Sequence, residues 1–324
     1  MTETPLLQVT DLHTKLQTAR GMLRAVDGVS FTLKAGETLG VVGESGSGKS
    51  VLGRTVMGLI TSNATSEVTG SVLLDGQNIH DMSPKQLRSI WGTKVGMVFQ
   101  DPMTALNPVK KVGMHLTEGL RAHSGMNKAE ARAAALDMLA RVGIPAPERR
   151  FDQFPHEMSG GMRQRVVIAM ALVNKPKLLI ADEPTTALDV TVQRQILDLL
   201  DELQDEMGMA TILVSHNLGV VAGRADRVAV MYGGRFVETA EAEELFDEPR
   251  HRYTNALLHA IPQLADAPHA RLDAIAGTPP NMVNPPTGCR FAARCQAVQP
   301  ECSNPLDLLT DQRTHQWACV NPVR

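Results

Sequence analysis

Short apolar runs alternate along the chain with longer stretches whose apolar residues recur every third or fourth position, and the alternation continues to about residue 250. A continuous apolar run suits a strand buried on both faces, and a 3.6-residue recurrence suits a helix with one covered face, so the pattern predicts an α/β fold. Glu37–Gly43, Lys94–Gln100, Lys177–Asp182 and Ala210–Ser215 read as buried strands, and SVLGRTVMGLI, from Ser50, reads as a helix. Asn127 and Glu130 form a capping box, predicting a helix over 127–142 that Gly143 can stop. Val192, Ile196, Leu199, Leu200, Leu203 and Met207 trace one face of a helix ending at Gly208. Val228–Thr239 reads as a hairpin turned at Gly233 and Gly234. Beyond residue 260 the texture changes to APHARLDAIAGTPPNMVNPPTG, rich in Pro and Gly, which reads as an ordered linker at best.

Composition narrows the class. A chain of 324 residues is long enough for one large domain or two smaller ones. The net charge of −3 gives no basic field for a polyanion, so nucleic acid is not an expected partner. The longest apolar stretch, Val166–Val173, falls well short of the roughly 18 residues a membrane helix needs and reads as a buried helix or strand. The opening MTETPLLQVTD lacks a basic region followed by an apolar one, so no secretory leader is expected and a reducing, cytosolic setting is. Disulfides are then the least expected use of the four cysteines.

GESGSGKS, Gly43 to Ser50, fits the phosphate-loop pattern G-x-x-x-x-G-K-[ST] between an apolar strand and a helix. Gly43, Gly46 and Gly48, with Glu44, Ser45 and Ser47 between them, let backbone amides turn inward around phosphate oxygens, and the helix beginning at Lys49 aims its positive end at the same oxygens. Lys49 suits the β- and γ-phosphates of ATP, and the Ser50 hydroxyl suits Mg²⁺. The bland alternative is a Gly/Ser linker, which the flanking strand and helix disfavour. KLLIADEP supplies the partner carboxylates: Asp182 as a hard oxygen ligand for Mg²⁺, and Glu183 as a base for the attacking water. Alone, that motif is no more than an acidic turn closing a strand.

MSGGMRQR, Met158 to Arg165, places Ser-Gly-Gly at the start of a helix shortly before the Asp-Glu strand and resembles the signature of ABC ATPases. The resemblance orders the remaining motifs. Gln100 stands as the Q-loop glutamine, sensing the γ-phosphate, its Mg²⁺ and the membrane partner. Asp189 stands in the D-loop, and His216 as the switch histidine. It implies that Ser159, Gly160 and Gly161 complete the nucleotide site of a second ATPase domain in a head-to-tail dimer. FQDPMTALNP, PRHRYTNALLHAIP and the segment leading to GCRFAARC resemble, more specifically, the ATPase subunits of oligopeptide and dipeptide ABC importers. The implied fold is a P-loop NTPase of ABC type, a RecA-like core plus helical subdomain, with a small irregular Cys-rich extension. Residues 1–250 would form the nucleotide-binding domain with a helical subdomain at about 101–175, residues 251–285 a linker or regulatory extension, and residues 286–324 the cysteine tail. The implied partners are two permease subunits, a second and distinct ATPase subunit, and indirectly an extracytoplasmic solute-binding protein, placing the chain peripherally on the cytoplasmic face of the inner membrane.

Three positions depart from that pattern. ABC ATPases stack adenine on an aromatic residue upstream of the phosphate loop, but the first aromatic here is Phe31 and Leu16 stands where the ring belongs. Base–aromatic stacking is worth roughly 1–3 kcal/mol, so adenine is expected on aliphatic or Arg surface or on a partner's residue. Met162 replaces a glutamine in the signature, and Arg252 replaces a proline after His251.

Cys289, Cys295, Cys302 and Cys319 are the only cysteines, spaced C-x5-C-x6-C-x16-C. Four thiolates suit a tetrahedral zinc or an iron–sulfur cluster, and the absence of a ligand pair two to four residues apart leans away from zinc. Free thiols without function also stay open, and His315 is a surface candidate to replace one ligand. By resemblance, importer ATPases with this tail carry a 4Fe-4S cluster. Two rivals follow from other classes: a soluble ABC protein of translation or DNA repair, disfavoured by the single phosphate loop and the lack of heptads, and a redox sensor on an ABC scaffold.

Overall fold

The computed structural model describes residues 4–186, 188–260, 275–310 and 314–323. Of the expected linker at 251–285, residues 261–274 lie outside the described residues, as does Ala187 of the expected D-loop. The chain forms two compact units, residues 1–81 with 213–324, and residues 82–212.

In the first unit, Leu7–Thr18, Gly21–Leu33, Ser66–Leu74 and Gln77–Asn78 form an antiparallel sheet. Its strands bury Leu7, Val9, Leu12, Val26, Val29, Leu33, Val72 and Leu74. Thr38–Val42 is buried at every position and pairs parallel with Arg227–Tyr232. That strand turns antiparallel into Arg235–Glu241 across Gly233 and Gly234, the expected hairpin. Two short strands of the C-terminal extension, Leu309–Thr310 and Gln316–Trp317, continue the sheet beyond it. The helix Lys49–Val56 buries Leu52 and Val56, and a buried hydroxyl pair, Thr14 to Thr55 at 3.0 Å, ties it to the antiparallel sheet.

In the second unit, Val95–Val98 pairs parallel with Leu178–Asp182, both fully buried as their apolar runs predict. Helices Val112–Ser124, Lys128–Arg141, Gly160–Leu172 and Val190–Met207 pack around an aliphatic core that includes Leu116, Leu139, Ile168, Leu172, Ile196 and Leu200. Asn127 caps as expected: its side chain accepts from Ala129 and Glu130 amides while Glu130 reaches back to the Asn127 amide. Val166–Val173, left open between helix and strand, is the helical C-terminal part of Gly160–Leu172 and its cap. The fourth predicted strand, Ala210–Ser215, is present over the predicted span.

Candidate functional site

The strand Thr38–Val42 delivers the chain into the loop Gly43–Gly48, and the helix begins at Lys49. Two glycines are required by contact as well as by conformation. A Cβ on Gly43, at φ 155°, would stand 2.1 Å from the Met231 carbonyl oxygen, and one on Gly48, at φ 109°, 2.1 Å from that of Ala25. Gly48 is the helix N-cap and brings no side chain to the first-turn amides, so those donors are left to a ligand. Lys49 is only 4% exposed. Its Nζ donates to the Gly43 carbonyl at 2.7 Å and the Glu44 carbonyl at 3.0 Å, so the ammonium already lies across the mouth of the loop. Ser47 is buried, Ser45 and Gly46 are exposed, and Ser50 is half-buried on the helix. His216 follows the buried strand Ala210–Ser215 and is exposed.

The acidic motif belongs to the second unit. Asp182 ends the strand Leu178–Asp182 and is buried. Glu183 follows with a positive φ of 48°, a conformation that costs a non-glycine residue free energy and is retained where the side chain's aim matters. That aim is fixed. The Gln100 side-chain amide donates to Glu183 Oε2 at 3.1 Å, and the Thr186 hydroxyl donates to the same oxygen at 2.8 Å. The expected Q-loop glutamine and the expected base are thus hydrogen-bonded side by side. Ser159 is the N-cap of Gly160–Leu172, its hydroxyl accepting from the Met162 amide at 3.3 Å. Asp189 caps Val190–Met207 in the same way through Val192 at 3.0 Å. Gly161 approaches Val192 so closely that a Cβ would meet its side chain at 3.0 Å. Leu16, where the adenine-stacking ring was expected, is half-buried between Leu23 and Ser66 of the neighbouring strands.

The four cysteines converge. Cys289, Cys295, Cys302 and Cys319 line one small pocket together with Phe291 and His251, and none of the four is in a disulfide. The Cys289 amide donates to the Cys302 carbonyl at 2.8 Å, and the Gln299 amide to the Cys302 sulfur at 3.4 Å. Burial pushes the Cys289 thiol up, and the three other cysteines push in the same direction. No group of three or more His, Cys, Asp or Glu side chains among the described residues is arranged to hold a metal ion. His315 corrects an expectation. It is fully buried, not on the surface, and its Nε2 is bonded to the buried Glu238 at 2.7 Å. Arg252 does more than its departure suggested: its guanidinium donates to the Asn321 and Pro322 carbonyls at 2.9 and 3.0 Å, tying down the chain after Cys319.

Sequence reasoning missed what holds the phosphate loop from outside. The Tyr253 hydroxyl accepts from the Glu44 amide at 2.8 Å, and the Arg294 guanidinium forks the Glu44 carboxylate. Only the pairing of an acidic loop position with arginines in the tail could have hinted at it.

Comparison with known proteins decides the family. Residues 26–186 match the family model described as ABC transporter. The oligopeptide transport ATP-binding protein OppD of Bacillus subtilis (strain 168) is 52% identical over 291 residues, covering 90% of this chain and 81% of the relative. The chain belongs to the ABC transporter ATP-binding family. This ABC ATPase also matches, over residues 237–302, the model described as oligopeptide/dipeptide transporter, C-terminal region. The dipeptide transport ATP-binding protein DppD of the same organism is 50% identical over 290 residues, covering 90% of this chain and 86% of the relative. A dimeric ATP-binding cassette solved in a post-hydrolysis state with ADP and Pi superimposes with a TM-score of 0.65 at 28% identity, over 73% of this chain and 98% of that one. The fold is therefore the ABC cassette, a P-loop NTPase with mixed sheets. No helix among the described residues is long and apolar enough to cross a membrane.

Proposed function

We propose that this ABC ATPase powers the import of di- or oligopeptides, or of a related small solute, through separate membrane permeases. The observation that carries the reading is the match of residues 237–302 to the oligopeptide/dipeptide transporter C-terminal region, because the match over 26–186 speaks only of ABC transporters. A second, distinct ATPase subunit and a solute-binding protein complete the proposed assembly, with this chain peripheral on the cytoplasmic membrane face. The helical unit exposes Val109 and Met114, at 78% and 50%, as apolar surface that a permease could cover.

In this reading the amides of Gly43–Ser50 and the Lys49 ammonium bind the β- and γ-phosphates of ATP. Ser50, Gln100 and Asp182 are the residues that would hold Mg²⁺, which supplies neutralisation of phosphate charge when bound. Glu183, aimed by Gln100 and Thr186, accepts the proton of a water whose oxygen bonds the γ-phosphorus as the bond to ADP breaks. His216 contacts the γ-phosphate. Ser159, Gly160, Gly161 and Asp189 serve the nucleotide of the partner ATPase, Gly160 and Gly161 through amides at a helix N-terminus. Lys49→Ala removes charge-assisted contacts worth roughly 1.5–3 kcal/mol, so MgATP affinity should fall by more than tenfold. Unchanged affinity in a fluorescent-nucleotide titration would remove the phosphate-loop reading.

The four cysteines are proposed to hold a 4Fe-4S cluster, with zinc as the alternative. What supports this is that all four cysteines line one pocket and none is in a disulfide, although their side chains are not arranged as a metal site in this structure; a cluster would cross-link turns with little apolar core of their own. Protein purified without oxygen should be brown with about four irons per chain for a cluster of that type. A colourless protein with stoichiometric zinc would replace the cluster with a structural ion.

A further inference from the structure

Glu44 is the second residue of the phosphate loop, and nothing in phosphate binding asks for a carboxylate there. A negative side chain beside the phosphates repels them unless a cation neutralises it. The cation comes from the C-terminal extension. Arg294 Nη1 donates to Glu44 Oε2 at 2.5 Å and Nη2 to Oε1 at 2.9 Å, the bidentate fork that arginine makes and lysine cannot. The guanidinium is itself immobilised. Its Nε donates to the Ala276 carbonyl and Nη2 to the Ile275 carbonyl, each at 2.9 Å, and Nη1 to the Tyr232 hydroxyl at 3.2 Å. Its side chain is 3% exposed, against 29% for Glu44. The hydrogen bond to Glu44, helped by Tyr232, raises its pKa further above the ordinary arginine value, so it stays charged.

The grip has a second point. The Glu44 amide donates to the Tyr253 hydroxyl at 2.8 Å, from the helix Arg252–His259. Tyr253 is fully buried, with its ring 4.5 Å from that of Tyr232. Glu44 is thus held at its carboxylate and at its backbone by residues lying two hundred positions or more downstream. Arg294 sits in the short turn Ala292–Arg294 between Cys289 and Cys295, so the fold of the cysteine pocket also aims this guanidinium.

We propose that Arg294 is a positioning residue for nucleotide: it neutralises Glu44 and fixes the start of the phosphate loop, making the C-terminal extension part of the ATP-binding apparatus. The proposal rests on the reading of Gly43–Ser50 as an ATP-binding loop. The test is a MgATP titration, by fluorescent analogue, of full-length protein purified without oxygen, with iron content and unliganded melting temperature measured on each sample. Arg294→Ala should weaken binding about tenfold, because the Glu44 carboxylate is left uncompensated near the phosphates, and the loss should grow at low salt. Adding Glu44→Gln to Arg294→Ala should restore affinity to within about threefold of wild type, since the repelling charge is gone. Arg294→Lys, which keeps the charge without the fork, should lie between them and guards against a misfolded alanine variant. A purely structural role would lower the melting temperature and leave the double variant no better than the single one. That result, or wild-type affinity in Arg294→Ala while Lys49→Ala loses its own, overturns the proposal. Wild-type affinity in Lys49→Ala as well would take down the loop reading and the proposal with it.

Discussion

Residues 82–212 pack around an aliphatic core with exposed ion pairs about it; residues 1–81 and 213–324 also carry exposed pairs such as Lys15–Glu67, but take two others fully inside. The helical unit pairs Lys110 with Glu118 and Arg141 with Asp137 and Glu206, all at least one-third exposed. The other unit buries Arg290 against Asp27, at 4% and 5% exposure, and His315 against Glu238, both at 0%. Arg290 also donates to the Gly233 carbonyl at the hairpin turn. Buried ion pairs are a poor source of net stability, since desolvation offsets most of their attraction. Long helices can position one another by packing alone. Among the described residues of the extension after residue 275, the only regular elements are 3₁₀ turns and two-residue strands, too short to do so. Its arginines fix a register that apolar contact cannot, Arg290 to Asp27 and Gly233 and Arg294 to Glu44, and Arg252 of the helix Arg252–His259 holds the Asn321 and Pro322 carbonyls.

Breaking one pin should therefore cost as much as a hole in the aliphatic core. Arg290→Met leaves the Asp27 carboxylate buried without its main partner and should destabilise by about 3–5 kcal/mol in urea unfolding. A loss below about 1 kcal/mol would mean the pair contributes no positioning. Leu139→Ala, in the core of the helical unit, should cost about 2–5 kcal/mol through lost transfer and cavity. Because the units differ, the first should expose the cysteine pocket to thiol reagents and the second should not.

Acid should act on the same pin. Burial of Asp27 pushes its pKa up, but hydrogen bonds and charge from Arg290, with help from His13 and Arg235, more than offset this and hold it below the ordinary value of 3.8. A depressed carboxylate contributes stability that is present above its unfolded pKa and is lost as pH falls through the lower folded value. Stability of the wild type should thus drop below about pH 4, and Asp27→Asn should lose that component of the slope. Smaller effects belong to the helical unit's surface. Asn127→Ala should cost about 1 kcal/mol by removing the cap. Glu118→Ala should cost less than about 1 kcal/mol, and nothing measurable in high salt.

What could be read in the sequence was what is local. The capping box at Asn127, the runs at 95–98, 178–182 and 210–215, and the turn at Gly233 each carry their signal within a few residues. The strand Leu7–Thr18 was not foreseen because register shifts between Val9 and Leu12 and between Thr14 and Lys15 break its inward alternation. The helix Val112–Ser124 has Lys111 as its N-cap, with no side-chain cap hydrogen bond, so no start signal announces it. The phosphate loop was legible as a motif, but its hold on Arg294 spans 250 positions, and periodicity carries no information about such pairs. His315 misled for the same reason: nothing near it in sequence reveals the buried Glu238 that takes it inside. The cysteines could be counted and spaced, and only folding brings them to one pocket.

The most direct test of the proposed role of Glu183 as the base is MgATP binding and phosphate release measured on the Glu183→Gln variant assembled with its partner subunits. Gln keeps the shape and the Gln100 and Thr186 neighbours but cannot take the proton of water. Retained ATP affinity with phosphate release lowered at least about a hundredfold, and a trapped closed dimer, is the predicted result. Normal turnover in that variant would contradict the account.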